Sequence, residues 1–290
     1  MFRYPVTAGE VHYFLDCSVT KEEIDQTLIQ LLTKKHLYFF DGFYTLENEP
    51  ALVERRKKGN ERAGQLLLVA YRIGALLYKF PFVKGVGISG SLSKNYADED
   101  ADIDFFIVTQ SNKLWIARTL LHLLKKLSFL AGKQHWYCMN YFVDEEALEI
   151  AEKNIFTATE VVTLKGVCGD EALIKFFTTN NWVTKYLPNR EPYTSINNPF
   201  VKIPWYKKLL EYLFNNRLGV WLDDYLMQVS QKRWIQKETA HQLNRKGEPV
   251  GLTIGKHVAR PNPEHLQKKL LGMLEEKKSV MKKQWGIQFE

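Results

Sequence analysis

The sequence predicts an α+β protein in three parts: a small winged-helix-like unit over residues 1–50, a palm of mixed sheet and helices over 51–165, and a helical part over 166–290. Three observations carry this. An Asp41-Gly42 pair separates two short aromatic-rich runs, the signature of a tight hairpin. Apolar runs at Val83–Ser89, Asp102–Thr109 and Trp136–Val143 have the length and composition of buried strands. From about residue 144 onward the periodicity turns helical.

Taken in order, Thr7 can cap a helix over Ala8–Leu15, and Thr20 a second over Lys21–Lys35, where Glu23 completes a capping box. Ile24, Leu28, Leu31 and Leu32 give the second helix one apolar face. Leu37–Phe40 and Phe43–Leu46 then pair across Asp41-Gly42, which suits the positive φ angles of a type I′ turn. Helix, helix, hairpin is the order of a winged helix without its usual first helix. Residues 51–80 read as one long helix, charged at first (Glu54 to Lys58), apolar later, and ended by Pro81. A helix over Lys113–Leu130 links the second and third strands of the palm. Further helices are expected over Glu145–Lys153, Phe156–Leu164, Glu171–Asn180, Tyr206–Ser230 and Pro263–Lys283, with the Asn- and Pro-rich stretch Pro188–Pro204 as a linker.

Composition narrows the function classes. At 290 residues, 45% hydrophobic and 25% charged, the chain holds one large or two modest domains. No apolar run approaches the ~20 residues that span a bilayer, and the first residues, Met1-Phe2-Arg3-Tyr4-Pro5, carry no signal-peptide pattern. A cytoplasmic protein with no membrane partner is expected. Cys17, Cys138 and Cys168 are far apart, without metal spacing, and suit a reducing compartment, with Cys138 read as core packing. The net charge of +7 resides in residues 231–290, with 13 Lys/Arg against 6 Asp/Glu, whereas residues 1–50 hold 4 against 8. The second helix opens with Glu22, Glu23 and Asp25, so duplex DNA is not an expected partner, because phosphate contact calls for Lys and Arg.

The chemistry concentrates in Gly90-Ser91-Leu92-Ser93-Lys94 and, with ten residues between Ser91 and Asp102, in Asp102-Ile103-Asp104. Residues i and i+2 of a strand share a face, so Asp102 and Asp104 are expected to project together while Ile103 turns into the core. Paired carboxylates at a sheet edge suit Mg²⁺ or Mn²⁺ carrying a triphosphate. Gly90 lets backbone approach a phosphate, and the Ser91 hydroxyl can bond to it. Lys94 suits a phosphate contact or, equally, a solvated surface position.

This pattern resembles the signature of the polymerase-beta-like nucleotidyltransferase superfamily. The run from Arg55-Arg56 through Pro81-Phe82-Val83-Lys84-Gly85 to Asn180-Asn181-Trp182 and Leu187-Pro188-Asn189 is similar to a prokaryotic nucleotidyltransferase-domain branch of it, across residues 50–190. The resemblance implies a nucleotidyltransferase palm, Asp102 and Asp104 as metal ligands, Gly90, Ser91 and Lys94 at the nucleotide, and transfer of a nucleoside monophosphate from an NTP to an acceptor hydroxyl. That acceptor is a small molecule, a protein or an RNA end. Active members usually carry a third carboxylate on a neighbouring strand. Here the corresponding polar residue is Asn140, which can coordinate weakly but cannot take a proton. Asp144, at the strand end, is a substitute or, more simply, the cap of a helix starting at Glu145. Arg118 either faces the nucleotide or belongs to the surface. His135, His241, His257 and His265 lack metal spacing and are read as ordinary, with His257 in a turn with Gly251 and Gly255 that is open to a ligand contact. Trp182 is expected to be buried. A catalytically degenerate nucleotide-binding regulator, or a partner-binding protein, is the alternative reading.

Overall fold

Thr7 and Thr20 each close a capping box. The Thr7 hydroxyl accepts from Glu10 N at 3.2 Å, the Thr20 hydroxyl from Glu23 N at 3.2 Å, and each glutamate returns a bond to its threonine's N–H. They start α1 (Ala8–Phe14) and α2 (Lys21–Thr33). β1 (Tyr38–Phe40) and β2 (Phe43–Thr45) pair antiparallel around Asp41 and Gly42, both at positive φ as a type I′ turn demands. The expected helix–helix–hairpin order is present. The computed structural model describes residues 3–130, 132, 134–191, 193, 201–240, 252–261 and 264–285.

The long helix α3 (Ala51–Tyr78) runs unbroken from this unit to the sheet. Arg56, 3% exposed, pairs with Glu10 at 2.6 Å, donates to Pro5 O at 3.3 Å and lies 4.0 Å from the Tyr4 ring centroid. These contacts weld residues 1–50 to α3.

The sheet has six strands: β3 (Val83–Ile88), β4 (Asp104–Thr109), β5 (Cys138–Asp144), β6 (Lys165–Cys168), β7 (Leu252–Ile254) and β8 (Val258–Pro261). Their order is β6-β3-β4-β5-β8-β7, and only β4 and β5 run parallel. Such a parallel pair needs a crossover, and α5 (Leu114–Phe129) provides it. On one face Val86, Ile88, Phe105, Ile107 and Phe142 pack with α3, α5 and α9 (Arg217–Thr239). On the other, Phe106, Val108 and Val143 pack with α6 (Ile155–Val162) and α7 (Asp170–Thr179). The remaining helices are α4 (Gly90–Ser93), α8 (Trp205–Phe214) and α10 (Glu264–Trp285). Among the described residues no helix is long and apolar enough to cross a membrane.

Several expectations need correction. Residues 145–153 form no helix, and Asp144 does not cap one. Asp144 ends β5 fully buried. Its carboxylate accepts from Asn112 N and Glu146 N, both at 2.9 Å, and meets His257 Nδ1 at 2.8 Å, which holds the chain in a turn. The C-terminal part is not helical throughout, because β7 and β8 extend the sheet from β5, and β6 straddles residues 165 and 166. The helix expected over Tyr206–Ser230 breaks into α8 and α9, since Asn216 Oδ1 accepts from Gly219 N at 3.1 Å and restarts the helix there. A Cβ on Gly219 would strike Phe214 O at 1.7 Å, so glycine permits the tight turn. His241, Gly251 and residues 192 and 194–200 of the expected linker lie outside the described residues.

Candidate functional site

The turn after β3 and the start of β4 form one unit. Gly90 has φ +70°, and a Cβ there would lie 2.6 Å from Asp104 Oδ2. Only glycine lets the carboxylate rest against the turn in this conformation. Ser89 N donates to Asp104 O at 2.9 Å, which closes the two strand ends together. Ser91 stands exposed in the first turn of α4, and Ser93 Oγ donates to Gly90 O at 2.8 Å.

Asn140 reaches this point through a bulge. Phe105 pairs with Met139 and Phe106 with Tyr141, which leaves Asn140 as the extra residue on β5. Its Nδ2 donates to Asp104 Oδ1 at 2.6 Å, and its Oδ1 accepts from the Cys138 thiol at 3.2 Å. An ionised carboxylate only accepts, so the amide must turn its NH₂ toward Asp104. Burial, and next the charge of Asp104, push the Cys138 thiol up to about 11. The thiol therefore stays protonated at neutral pH and keeps its bond to Asn140.

The paired strand β4 begins at Asp104, two residues later than the sequence suggested, and Asp102 precedes it. Ile103 is fully buried between the two aspartates, as expected. Their carboxylates nonetheless have different partners. Asp104 meets Gly90 and Asn140, whereas Asp102 Oδ1 accepts from His135 Nδ1 at 2.8 Å, both side chains being about half exposed. Lys94 closes back over the turn, donating to Gly90 O at 3.0 Å and to Glu160 of α6 at 2.9 Å.

The loop joining the turn to the aspartates is fastened to α3. The Tyr96 ring occupies the place of a side chain on Gly59, where a Cβ would lie 2.2 Å from it, and Ala97 N donates to Gly59 O at 3.1 Å. Arg62 pairs with Glu99 at 2.6 Å, and Lys165 donates to Asn95 at 2.8 Å.

The structure thus gathers Gly90, Asp104 and Asn140, with Lys94 and Ser91 on the same turn and Asp102 beside His135. Arg118 lies elsewhere, on the α5 side of the sheet against the Trp115 and Phe142 rings, and burial lowers its guanidinium to about 10. His257 meets Asp144 at the far end of β5, about 20 Å of strand from Cys138. Trp182 is partly buried and donates to Asn180 at 3.0 Å. Sequence reasoning set His135 aside for want of metal spacing and passed over Glu160 and the polar role of Cys138. Only Cys138, two residues from Asn140 on one strand, left a local signal.

Oxygen donors such as the Asp102 and Asp104 carboxylates would suit Mg²⁺ or Mn²⁺ better than softer metals. Among the described residues no three or more His, Cys, Asp or Glu side chains converge on a metal position. No family model, curated protein or solved structure matches this chain.

Proposed function

We propose that this chain is a metal-dependent nucleotidyltransferase that moves a nucleoside monophosphate from an NTP to an acceptor hydroxyl. The observation that supports it best is the Asp104 carboxylate packed against a positive-φ glycine turn that carries an exposed serine. In this reading residues 51–165 are the palm, and residues 1–50 are a winged-helix-like unit that serves as a docking part. Asp102 and Asp104 hold Mg²⁺ or Mn²⁺, which when bound neutralises phosphate charge and polarises the transferring group.

The chain's own residues then divide the work. Gly90 admits the distal phosphates to the backbone, and Ser91 donates to them. Lys94 exchanges Glu160 for a phosphate oxygen. Asn140 holds Asp104 in one rotamer through its NH₂ and, as an amide, removes no proton. A cation held by Asp102 would take the place of His135 on that carboxylate. The acceptor is a small molecule, a protein or an RNA end.

Asn140 favours a second reading, a degenerate nucleotide-binding regulator, since the usual third carboxylate is an amide. Incubation with each labelled ribonucleoside triphosphate, Mg²⁺ or Mn²⁺ and cell extract separates the two. Label transfer with pyrophosphate release, lost in Asp104→Asn, supports the enzyme. Calorimetric nucleotide binding with no pyrophosphate from any of the four triphosphates supports the regulator. Absence of both sinks both readings.

A further inference from the structure

Helix α8 is inverted relative to an ordinary surface helix: it buries a lysine and exposes three of its four aromatics, Trp205, Tyr206 and Tyr212. Lys207 is 4% exposed, and its ammonium donates to Tyr78 O and Val83 O, both at 2.7 Å. One turn on, Glu211 accepts from Phe82 N at 2.8 Å. These bonds fix the rotation of α8 about its axis. Trp205 and Tyr212, seven residues apart on the opposite face, are left 74% and 82% exposed, with Leu209 between them. The next helix repeats the pattern. Trp221 on α9 is 61% exposed, flanked by the half-exposed Leu218 and Tyr225, and the Trp221 and Tyr225 rings stack at 5.8 Å.

Aromatic side chains carry about 150–250 Å² each, so Trp205, Tyr212 and Trp221 alone leave on the order of 400 Å² of ring surface in water. The largest apolar patch on a soluble monomer is of about this size and is often functional.

Charge identifies the occupant. Between residues 201 and 236 the exposed charges are Lys202, Lys208, Arg217, Lys232 and Arg233, all basic. Of the acids in that stretch, Glu211 accepts from Phe82 N, Asp223, 1% exposed, accepts from Ile116 N at 2.8 Å, and Asp224, a little over a third exposed, is offset by Lys256 at 3.5 Å. We propose that the outward faces of α8 and α9 lie on an anionic phospholipid surface. Trp and Tyr suit the headgroup level, the leucines enter the acyl boundary, and the lysines and arginines meet lipid phosphates. A second copy would set the same basic residues against each other in a two-fold contact. Single-stranded nucleic acid would stack on free rings, but Trp221 and Tyr225 already stack on one another, and the leucines offer bases nothing. The sequence-based exclusion of a membrane partner rested on the missing spanning run, which a surface-lying helix does not need.

The test is co-sedimentation of the full chain with vesicles of phosphatidylcholine alone or with phosphatidylserine. Binding is expected only to the anionic vesicles and to fall steeply as salt rises. The Trp221→Ser/Tyr212→Ser pair should weaken it at least tenfold. Lys208→Glu/Arg217→Glu should weaken it similarly while leaving the apolar faces intact. Both variants change exposed residues, and unchanged thermal unfolding confirms their fold. No sedimentation with anionic vesicles overturns the proposal, as does binding indifferent to both variants. Concentration-dependent dimerisation through these residues, or tighter binding to oligonucleotide than to vesicles, assigns the faces to another partner and also overturns it.

Discussion

Replacing Gly90 with alanine probes the contact between the turn and Asp104. Two costs combine. At φ +70° an L side chain costs about 1–2 kcal/mol relative to glycine. The new Cβ would also meet Asp104 Oδ2 at 2.6 Å, so the carboxylate must retreat by about 0.8 Å to reach ordinary contact. That retreat strains its 2.6 Å bond from Asn140, worth about 1 kcal/mol. The expected loss is about 2–3 kcal/mol in urea unfolding. Gly42→Ala is the control, because Gly42 has φ +87° but nothing within 4 Å of a Cβ. It should lose only the conformational part, and the difference between the two variants isolates the Asp104 contact. Calorimetry with Mg²⁺ and a nucleoside triphosphate should then show at least a tenfold weaker complex for Gly90→Ala, since a misplacement near 1 Å is costly to a metal site. If Gly90→Ala loses no more stability than Gly42→Ala and binds as wild type, the turn and the aspartate are not one unit.

Three further outcomes are expected. Asn140→Asp replaces a hydrogen bond with a like-charge contact, so it should lower metal-free stability by about 1–3 kcal/mol and raise Mg²⁺ affinity, seen as a thermal midpoint that Mg²⁺ lifts more than in wild type. Burial lowers the Lys207 ammonium from 10.5 to about 8, so between those values the unfolded chain binds more protons and stability rises with pH. Lys207→Met should lack that rise, of about 3 kcal/mol in all, and parallel wild-type and variant curves from pH 7 to 10.5 would contradict it. The Cys138 thiol, held up to about 11, should resist iodoacetamide at pH 7.5 while the exposed Cys17 reacts, as peptide mass spectrometry would report.

What the sequence disclosed follows the range of the interactions involved. Thr20 and Glu23 are three residues apart, and Asp41-Gly42 is one dipeptide, so both were legible. The Gly90-Ser91 turn and the aspartates lie on consecutive strands, and their spacing showed as a pattern. The bulge that delivers Asn140 to Asp104 depends on pairing between strands 36 residues apart, which leaves no local mark. Strands β6, β7 and β8 have three or four residues each and owe their conformation to distant partners. Residues 145–153 looked helical by composition, yet Asn112 and His257 capture Asp144 and hold a turn instead. Arg118 was expected at the nucleotide or on the surface, because its burial, like that of Lys207, is decided by elements far along the chain.

The welding of residues 1–50 to α3 bears on how a signal would travel. Arg56 grips that unit, and Gly59, three residues on, holds the loop between the glycine turn and the aspartates. About 4.5 Å of helix rise separates the two grips. The two grips lie within one turn of the same helix. Cutting those residues away strands the Arg56 guanidinium without its carboxylate. The unit is therefore built into α3 within a turn of the residue that holds the loop following Ser91.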